Sequence, residues 1–248
     1  MNKLNDHSAE SRDLALDKLF ESVPLESEII VDLPSKGKFY NNFQLVKVKP
    51  LLFEDEQKIL LSKNKNIDPI NELISKCVEG VNLRDLLSMD KLFLLLKIRE
   101  VSYGEDYNFD IVCPKCGSNT DTTINTSKHL SVNYAPDDLT DPREIELPVL
   151  KKKAVVRFPR GSEEQYFEDA DSAVANLYRC VVSIDGVEDP VFIAKALKRM
   201  SIRDIKIIVK NIHRHDLGLD PTFQFECPAC KHNELMRIPL DYRFFSVS

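Results

Sequence analysis

Cys113-Pro114-Lys115-Cys116 is matched 114 residues later by Cys227-Pro228-Ala229-Cys230. Each Cys-x-x-Cys motif follows a strand-like run, Asn108 to Val112 in the first case and Thr222 to Glu226 in the second. Two such pairs supply the four thiolates of a tetrahedral structural zinc site. The interval is too long for a single small zinc finger. We therefore expect the chain to return and close one site with Cys113, Cys116, Cys227 and Cys230.

The same four cysteines admit other interpretations. A disulfide or free thiols would use the same residues, and Cys-Pro-x-Cys also binds iron in rubredoxin-type sites. The N-terminus has no apolar signal core, so we expect an intracellular protein, in which paired Cys-x-x-Cys motifs indicate metal ligands before disulfides. With no further redox feature in the sequence, we predict one structural Zn²⁺ per chain. Four cysteines leave no open position for water.

The composition limits the classes of function. A hydrophobic content of 43% and a charged content of 30% are typical of a soluble globular protein. The net charge of −6 argues against general binding to nucleic acids or to membrane surfaces, and no apolar run reaches transmembrane length. The sequence contains no phosphate-binding loop, nucleophile elbow or His-Glu-x-x-His helix. We predict a protein that is not an enzyme and has no small-molecule substrate.

The interval of 114 residues extends beyond the cysteines. When residues 90–119 are shifted by 114 without a gap, nine of the thirty positions are identical, against about two expected from ordinary composition. One of these identities pairs Asp90 with Asp204, and the same shift aligns Leu33-Pro34 with Leu147-Pro148. We interpret this pattern as a tandem duplication.

Each copy has the pattern of an α+β unit. An alternating strand-like segment opens it, Phe43 to Val48 in the first copy and Lys153 to Phe158 in the second. Two or three helices follow, one of which begins at Asp189-Pro190. Each copy then ends as a helix, a strand, the Cys-x-x-Cys turn and a second strand, which is half of a zinc ribbon. In the second copy, this helix is predicted to run from about Ile202 to Ile212, and Ser201 with Asp204 resembles a capping box at its start. Two facing halves predict a pseudo-twofold molecule with a shared, zinc-ribbon-like site of four cysteines near its axis.

The duplication divides the chain into four segments. Residues 1–29 form an N-terminal arm, which is either flexible or a docking helix for a partner. Residues 30–130 are the first repeat unit and residues 145–248 the second, each with one zinc-binding motif. Residues 131–144, rich in proline and aspartate, are the linker.

The other candidate functional residues are expected to have structural roles. Cys77 and Cys180 lie on apolar helix faces and are expected to be buried as small hydrophobic residues. The basic residues between Lys151 and Arg160 could contact phosphates, but such a run is more often a solvated strand edge. Three histidines lie near a helix end or the second motif and are expected to be solvated or capping residues rather than ligands: His213, His215 and His232.

Four further segments stand out along the chain. They are Leu33-Pro34-Ser35-Lys36-Gly37-Lys38-Phe39-Tyr40, Arg99-Glu100-Val101-Ser102-Tyr103-Gly104, Cys113-Pro114-Lys115-Cys116-Gly117 and Leu240-Asp241-Tyr242-Arg243-Phe244-Phe245. In this order, they resemble the baseplate hub assembly proteins of T-even-like contractile-tailed bacteriophages. The second copy departs from the first segment, because it lacks the glycine and the Phe-Tyr pair after Leu147-Pro148.

The resemblance implies a role in building the central hub of the phage tail baseplate. Members of that family act as a minor component of the hub or as an assembly factor absent from the finished particle. We therefore predict a non-enzymatic zinc-binding phage protein that acts as an assembly chaperone or scaffold, or as a minor hub component. Its partners would be baseplate hub proteins, and its location the cytoplasm of the infected bacterial host or the virion baseplate.

Two other classes of function remain open. A nucleic-acid-binding zinc-ribbon accessory protein would need a basic face, and its binding would weaken steeply with salt. A redox enzyme that uses Cys-x-x-Cys would have reactive thiols and no stoichiometric zinc.

Overall fold

The computed structural model describes most of the chain and has a mixed α and β architecture. The described residues are 18–19, 28–41, 43–61, 69–167, 170–239 and 242–245. The expected N-terminal arm, residues 1–29, lies almost entirely outside these ranges. Within them, helices alternate with short antiparallel strands, which confirms the α+β class.

The first half of the structure, residues 28–130, begins with a three-stranded antiparallel sheet. Its strands pair in chain order: β1 (Ile29–Val31), β2 (Val46–Val48) and β3 (Val78–Glu79). Helices α1 (Phe53–Leu61) and α2 (Pro69–Cys77) connect β2 to β3. The two valines of β2 point to the same face and are fully buried, as the two-residue period of a strand requires.

The first half ends with a long helix and a hairpin. Helix α3 (Ser88–Tyr103) is followed by strands β4 (Asp106–Val112) and β5 (Asn119–Asn125), which pair antiparallel around the first cysteine motif. A single helical turn, α4 (Thr126–His129), then leads to strand β6 (Ser131–Asn133). This strand begins the connector, defined here as residues 131–142, so part of the predicted linker has regular structure.

The second half, residues 143–245, opens with another three-stranded antiparallel sheet. Its strands also pair in chain order: β7 (Arg143–Leu147), β8 (Lys152–Val156) and β9 (Val181–Ile184). Helix α5 (Ala170–Asn176) lies between β8 and β9, and helix α6 (Pro190–Leu197) follows β9. Asp189 caps α6 by accepting a hydrogen bond from the Val191 amide at 3.0 Å, as the Asp-Pro sequence predicts.

The second half also ends with a helix and a hairpin around its cysteine motif. Helix α7 (Ile202–Ile212) has the predicted bounds and leads to the short strand β10 (Gly218–Asp220). Strands β11 (Thr222–Glu226) and β12 (Asn233–Arg237) form the hairpin. A 3₁₀ turn at Tyr242–Phe245 ends the described chain.

The two halves are joined through a hydrophobic cluster between the two hairpins. This middle cluster contains residues of both halves, among them Tyr107 and Phe223, and the motif cysteines Cys113 and Cys227. Phe244 from the aromatic ending is 2% exposed and packs edge-on against Tyr107. Phe244 therefore packs in the core, and Phe245 packs against the same cluster.

The segments that follow the two hairpins each cross to the other half. Strand β6, which follows the first hairpin, pairs antiparallel with β10 of the second half. In the opposite direction, the Tyr103 hydroxyl at the end of α3 donates a hydrogen bond to the Phe245 carbonyl at 2.9 Å. These exchanges, together with the middle cluster, hold the two cysteine motifs against each other.

Candidate metal centre

The first cysteine motif is a tight turn at the tip of the β4–β5 hairpin. The amide of Cys113 donates to the Ser118 carbonyl at 2.9 Å, and the amide of Gly117 donates to the Cys113 carbonyl at 2.9 Å. Gly117 has a φ of 72°, a left-handed conformation that glycine adopts without steric cost. The turn therefore brings the side chains of Cys113 and Cys116 to the same side.

The second motif repeats this turn at the tip of the β11–β12 hairpin. The amide of Cys227 donates to the His232 carbonyl at 2.8 Å, and the amide of Lys231 donates to the Cys227 carbonyl at 2.9 Å. Lys231 holds the left-handed position with a φ of 57°. The same turn thus forms without glycine, at the cost of some backbone strain at this lysine.

The four motif sulfurs converge on one point. All four Sγ atoms lie within 4.8 Å of one another. The Sγ atoms of Cys113 and Cys230 are 3.7 Å apart, as are those of Cys116 and Cys227. A tetrahedral ion with metal–sulfur bonds of about 2.3 Å requires sulfurs separated by roughly 3.8 Å, whereas a disulfide requires about 2.05 Å. The spacing therefore fits a four-thiolate metal site, and all six cysteines of the chain are free thiols.

The site lies at the edge of the middle cluster. Cys113 and Cys227, the first cysteine of each motif, are 1% and 0% exposed, whereas Cys230 is half-buried and Cys116 is exposed. Apolar packing thus shields one side of the four sulfurs, and the other side faces solvent. An ion held here would connect the tips of the two hairpins.

Hydrogen bonds at the site favour thiolates at some positions. The Ser118 hydroxyl and the backbone amide of Cys230 lower the pKa of Cys227 to about 6. The same hydroxyl also lowers the pKa of Cys116. At Cys230, a hydrogen bond from the His232 amide lowers the pKa of the thiol. Loss of hydration and the neighbouring thiols have the opposite effect, and the net result is a pKa raised to about 12. Thiolates this close repel one another, and a divalent cation offsets that repulsion.

The other cysteines and the histidines do not join this cluster. Cys77 and Cys180 are 2% and 0% exposed, and burial raises the pKa of Cys77 to about 11 and that of Cys180 to about 12. The predicted role of both as small buried hydrophobic residues is consistent with this placement. Among the described residues, the possible metal ligands that cluster here are the four motif cysteines alone. The group does not include the three histidines considered above, His213, His215 and His232.

The basic run between Lys151 and Arg160 is largely neutralised by ion pairs. Lys152 pairs with Asp185 at 2.9 Å, and Lys153 pairs with Glu144 at 2.6 Å. Two arginines of the run are paired in the same way: Arg157 with Glu163 and Arg160 with Asp141, both at 2.6 Å. This pairing disfavours a phosphate-binding face, which needs unpaired cations.

Two buried aspartates have a role that the sequence did not reveal. Asp90 and Asp204 are 0% and 1% exposed. The Ser35 amide donates to Oδ1 of Asp90 at 2.9 Å, and the Val149 amide donates to Oδ1 of Asp204 at 2.8 Å. Each carboxylate therefore anchors the loop that follows the Leu-Pro pair of its own half. Their identity at the 114-residue shift was visible, but only a capping role with Ser201 could be predicted for Asp204.

None of the described helices is long and apolar enough to cross a membrane. A family model described as T4 bacteriophage base plate protein matches residues 26–241 of the chain. No curated protein and no solved structure matches it. The family match covers well over half of the 248 residues and includes both cysteine motifs. The chain therefore belongs to the family of T4 bacteriophage base plate proteins.

Proposed function

We propose that this protein assists assembly of the central hub of the phage baseplate by binding hub proteins, as a scaffold held together by one zinc ion. The observation that carries the proposal is the convergence of four sulfurs, two from each half, in a member of a baseplate family. Membership of a baseplate family suggests a non-enzymatic protein with phage proteins as partners. The hub-specific role would be that of an assembly chaperone or of a minor hub component.

The metal in this proposal is structural. Four thiolates would fill the coordination shell of Zn²⁺ and leave no position for a reacting water. Because the ligands come from both halves, the free energy of metal binding would stabilise the folded arrangement of the whole molecule. The sulfur spacing suits tetrahedral zinc and tetrahedral iron alike, so the metal content of the purified protein must identify the ion.

We also infer that the chain is a tandem duplication, with residues 30–130 and 145–248 as pseudo-twofold copies and residues 131–144 between them. Strand pairing supports this inference. Val112 pairs with Asn119 next to the first motif, and Glu226 pairs with Asn233 next to the second. Both members of the second pair lie 114 residues after those of the first. The hydrogen bonds that anchor the two loops to their aspartates are related by the same 114-residue interval, and so are the hydrogen bonds within the two cysteine turns.

Co-expression with baseplate hub proteins tests the proposed function. Native mass spectrometry of the purified complexes would report the partner, the oligomeric state and the metal together. We expect a stable complex with a hub protein and one zinc per chain. Failure to bind any hub protein would contradict the scaffold role, whatever the metal content. Copurifying nucleic acid that salt removes would favour the nucleic-acid-binding alternative.

A further inference from the structure

An open apolar groove lies in the second half, beside the loop that follows Leu147. We call it the 148–150 groove; it has a volume of about 680 Å³ and is lined by this loop, the end of β9 and helix α6. Four large apolar side chains of its lining are between 39% and 48% exposed: Val149, Leu150, Val187 and Phe192. A contiguous exposed apolar patch marks an interaction site more often than isolated apolar residues do.

The equivalent loop of the first half is covered by the connector. Asp90 anchors this loop as Asp204 anchors the loop at the groove. Ala135 of the connector is fully buried, and its amide donates a hydrogen bond to the Pro34 carbonyl at 2.8 Å. Pro34 is buried as a result, whereas Pro148, at the same position of the second half, is half-exposed.

The covering segment also brings a negative charge to the loop. Asp137, two residues after Ala135, forms ion pairs with Lys36 at 2.8 Å and with Lys38 at 3.1 Å. Hydrogen bonds from these two lysines lower the pKa of Asp137. In the first half, therefore, the loop is covered by a segment of the connector in which a small apolar residue is closely followed by an aspartate.

The groove of the second half offers the same kinds of contact without an occupant from the described chain. The described residues donate no hydrogen bond to the Pro148 carbonyl. Arg199 lines the groove, is exposed and forms no salt bridge within the described ranges, whereas Lys152 and Asp185 of the lining pair with each other at 2.9 Å. In a protein with a net charge of −6, an unpaired arginine on an apolar surface favours an acidic partner.

We propose that the 148–150 groove binds a short segment of another baseplate protein, in which an aliphatic residue is closely followed by an aspartate or glutamate. The aliphatic side chain contacts Leu150 and Phe192. A backbone amide of the segment donates to the Pro148 carbonyl, and its carboxylate pairs with Arg199. This inference rests on the proposed function and names the surface and the chemistry of one partner contact.

Binding measurements on exposed positions test the groove. Purified baseplate proteins of the same phage serve as probes, and the affinity of each is measured against the full chain and its variants. We expect Leu150→Asp and Arg199→Glu each to weaken the complex by about tenfold or more. Leu45→Asp is the matched control, because Leu45 is 65% exposed in the first half, and it should change the affinity less than about twofold. Thermal unfolding of each variant confirms that it is folded.

Photo-crosslinking from position 149 identifies the occupant by an independent readout. A photoreactive residue in place of Val149 should attach to a segment of a baseplate protein that contains an aliphatic and an acidic residue. A crosslink to a second copy of the chain, or to residues 1–27 of the same chain, would overturn the inference. Unchanged affinity of the complex in both groove variants would also overturn the inference, but it would leave the proposed function intact. If the wild-type chain bound no baseplate protein, the proposed function and this inference would both fail.

Discussion

The buried carboxylate of Asp204 provides a sensitive test of how the second half is held together. Its Oδ1 accepts the Val149 amide at 2.8 Å, and its Oδ2 accepts the Leu150 amide at 3.1 Å. The Ser201 hydroxyl donates to Oδ2 at 3.0 Å. Asp204→Ala removes these three acceptor contacts at once and frees the loop from the first turn of α7.

The size of the effect follows from the exposure of the groups left behind. A hydrogen bond to a charged group contributes about 1.5–3 kcal/mol to stability. Val149 and Leu150 are nearly half exposed, so water can reach their amides in the variant and reduce the loss. Removal of a buried charge also recovers part of its desolvation cost. We expect a decrease of about 2–3 kcal/mol in the free energy of unfolding, which lowers the melting temperature by roughly 4–12 °C in a chain of this size.

Urea unfolding monitored by circular dichroism measures this difference. Asp216→Ala is the matched control, because Asp216 pairs with Arg214 on the surface and its side chain is 65% exposed. Such a pair contributes less than about 0.5–1 kcal/mol. Asp204→Asn, which keeps one acceptor oxygen, should fall between the alanine variant and the wild type. If Asp204→Ala were no more destabilising than Asp216→Ala, the anchoring role of the buried aspartates would be refuted.

Three further predictions concern other parts of the fold. Burial raises the pKa of the Asp90 carboxyl, so the folded protein binds the carboxyl proton more tightly than the unfolded chain does. The stability that this protonation contributes is complete below about pH 4 and is lost as the pH rises through the pKa of the folded state. Asp90→Asn should therefore flatten this part of the stability–pH profile. Gly218→Ala should cost about 2–3 kcal/mol more than Gly104→Ala in urea unfolding, because both glycines have positive φ but only a Cβ at 218 lies 2.8 Å from the Met89 carbonyl oxygen; equal costs would contradict this close approach. Phe244→Ala should destabilise the protein by about 3–5 kcal/mol in the same assay, since the ring is 2% exposed in the middle cluster, and a loss below about 1 kcal/mol would contradict its core position.

The features that the sequence predicted well depend on local chemistry and spacing. The turn at each Cys-x-x-Cys motif is determined by a few neighbouring residues, and the identical spacing of the two motifs indicated that all four sulfurs meet. Helix α7 has its predicted bounds because Ser201 caps it, with its hydroxyl accepting the Asp204 amide at 3.2 Å. The resemblance to phage baseplate proteins, which depends on several segments taken together, is confirmed by the family match.

The features that were not predicted depend on contacts between distant parts of the chain. The pairing of β6 with β10 joins a segment regarded as linker to the second half, and no local pattern in three residues specifies such a partner. The anchoring of the Leu-Pro loops depends on carboxylates 55 residues further along the chain. The 148–150 groove is open because the connector covers only the loop of the first half, and the sequence similarity of the two halves does not reveal this difference.

The central claim is that one metal ion, bound by Cys113, Cys116, Cys227 and Cys230, joins the two halves of a single chain. Native mass spectrometry combined with elemental analysis tests it most directly. We predict one zinc per chain in the wild type, and loss of stoichiometric zinc in both Cys113→Ser and Cys227→Ser, with a lower melting temperature in each. Cys180→Ser, at a buried cysteine outside the cluster, should keep its zinc. Two zinc ions per chain, or a full equivalent of zinc retained by Cys227→Ser, would contradict the account.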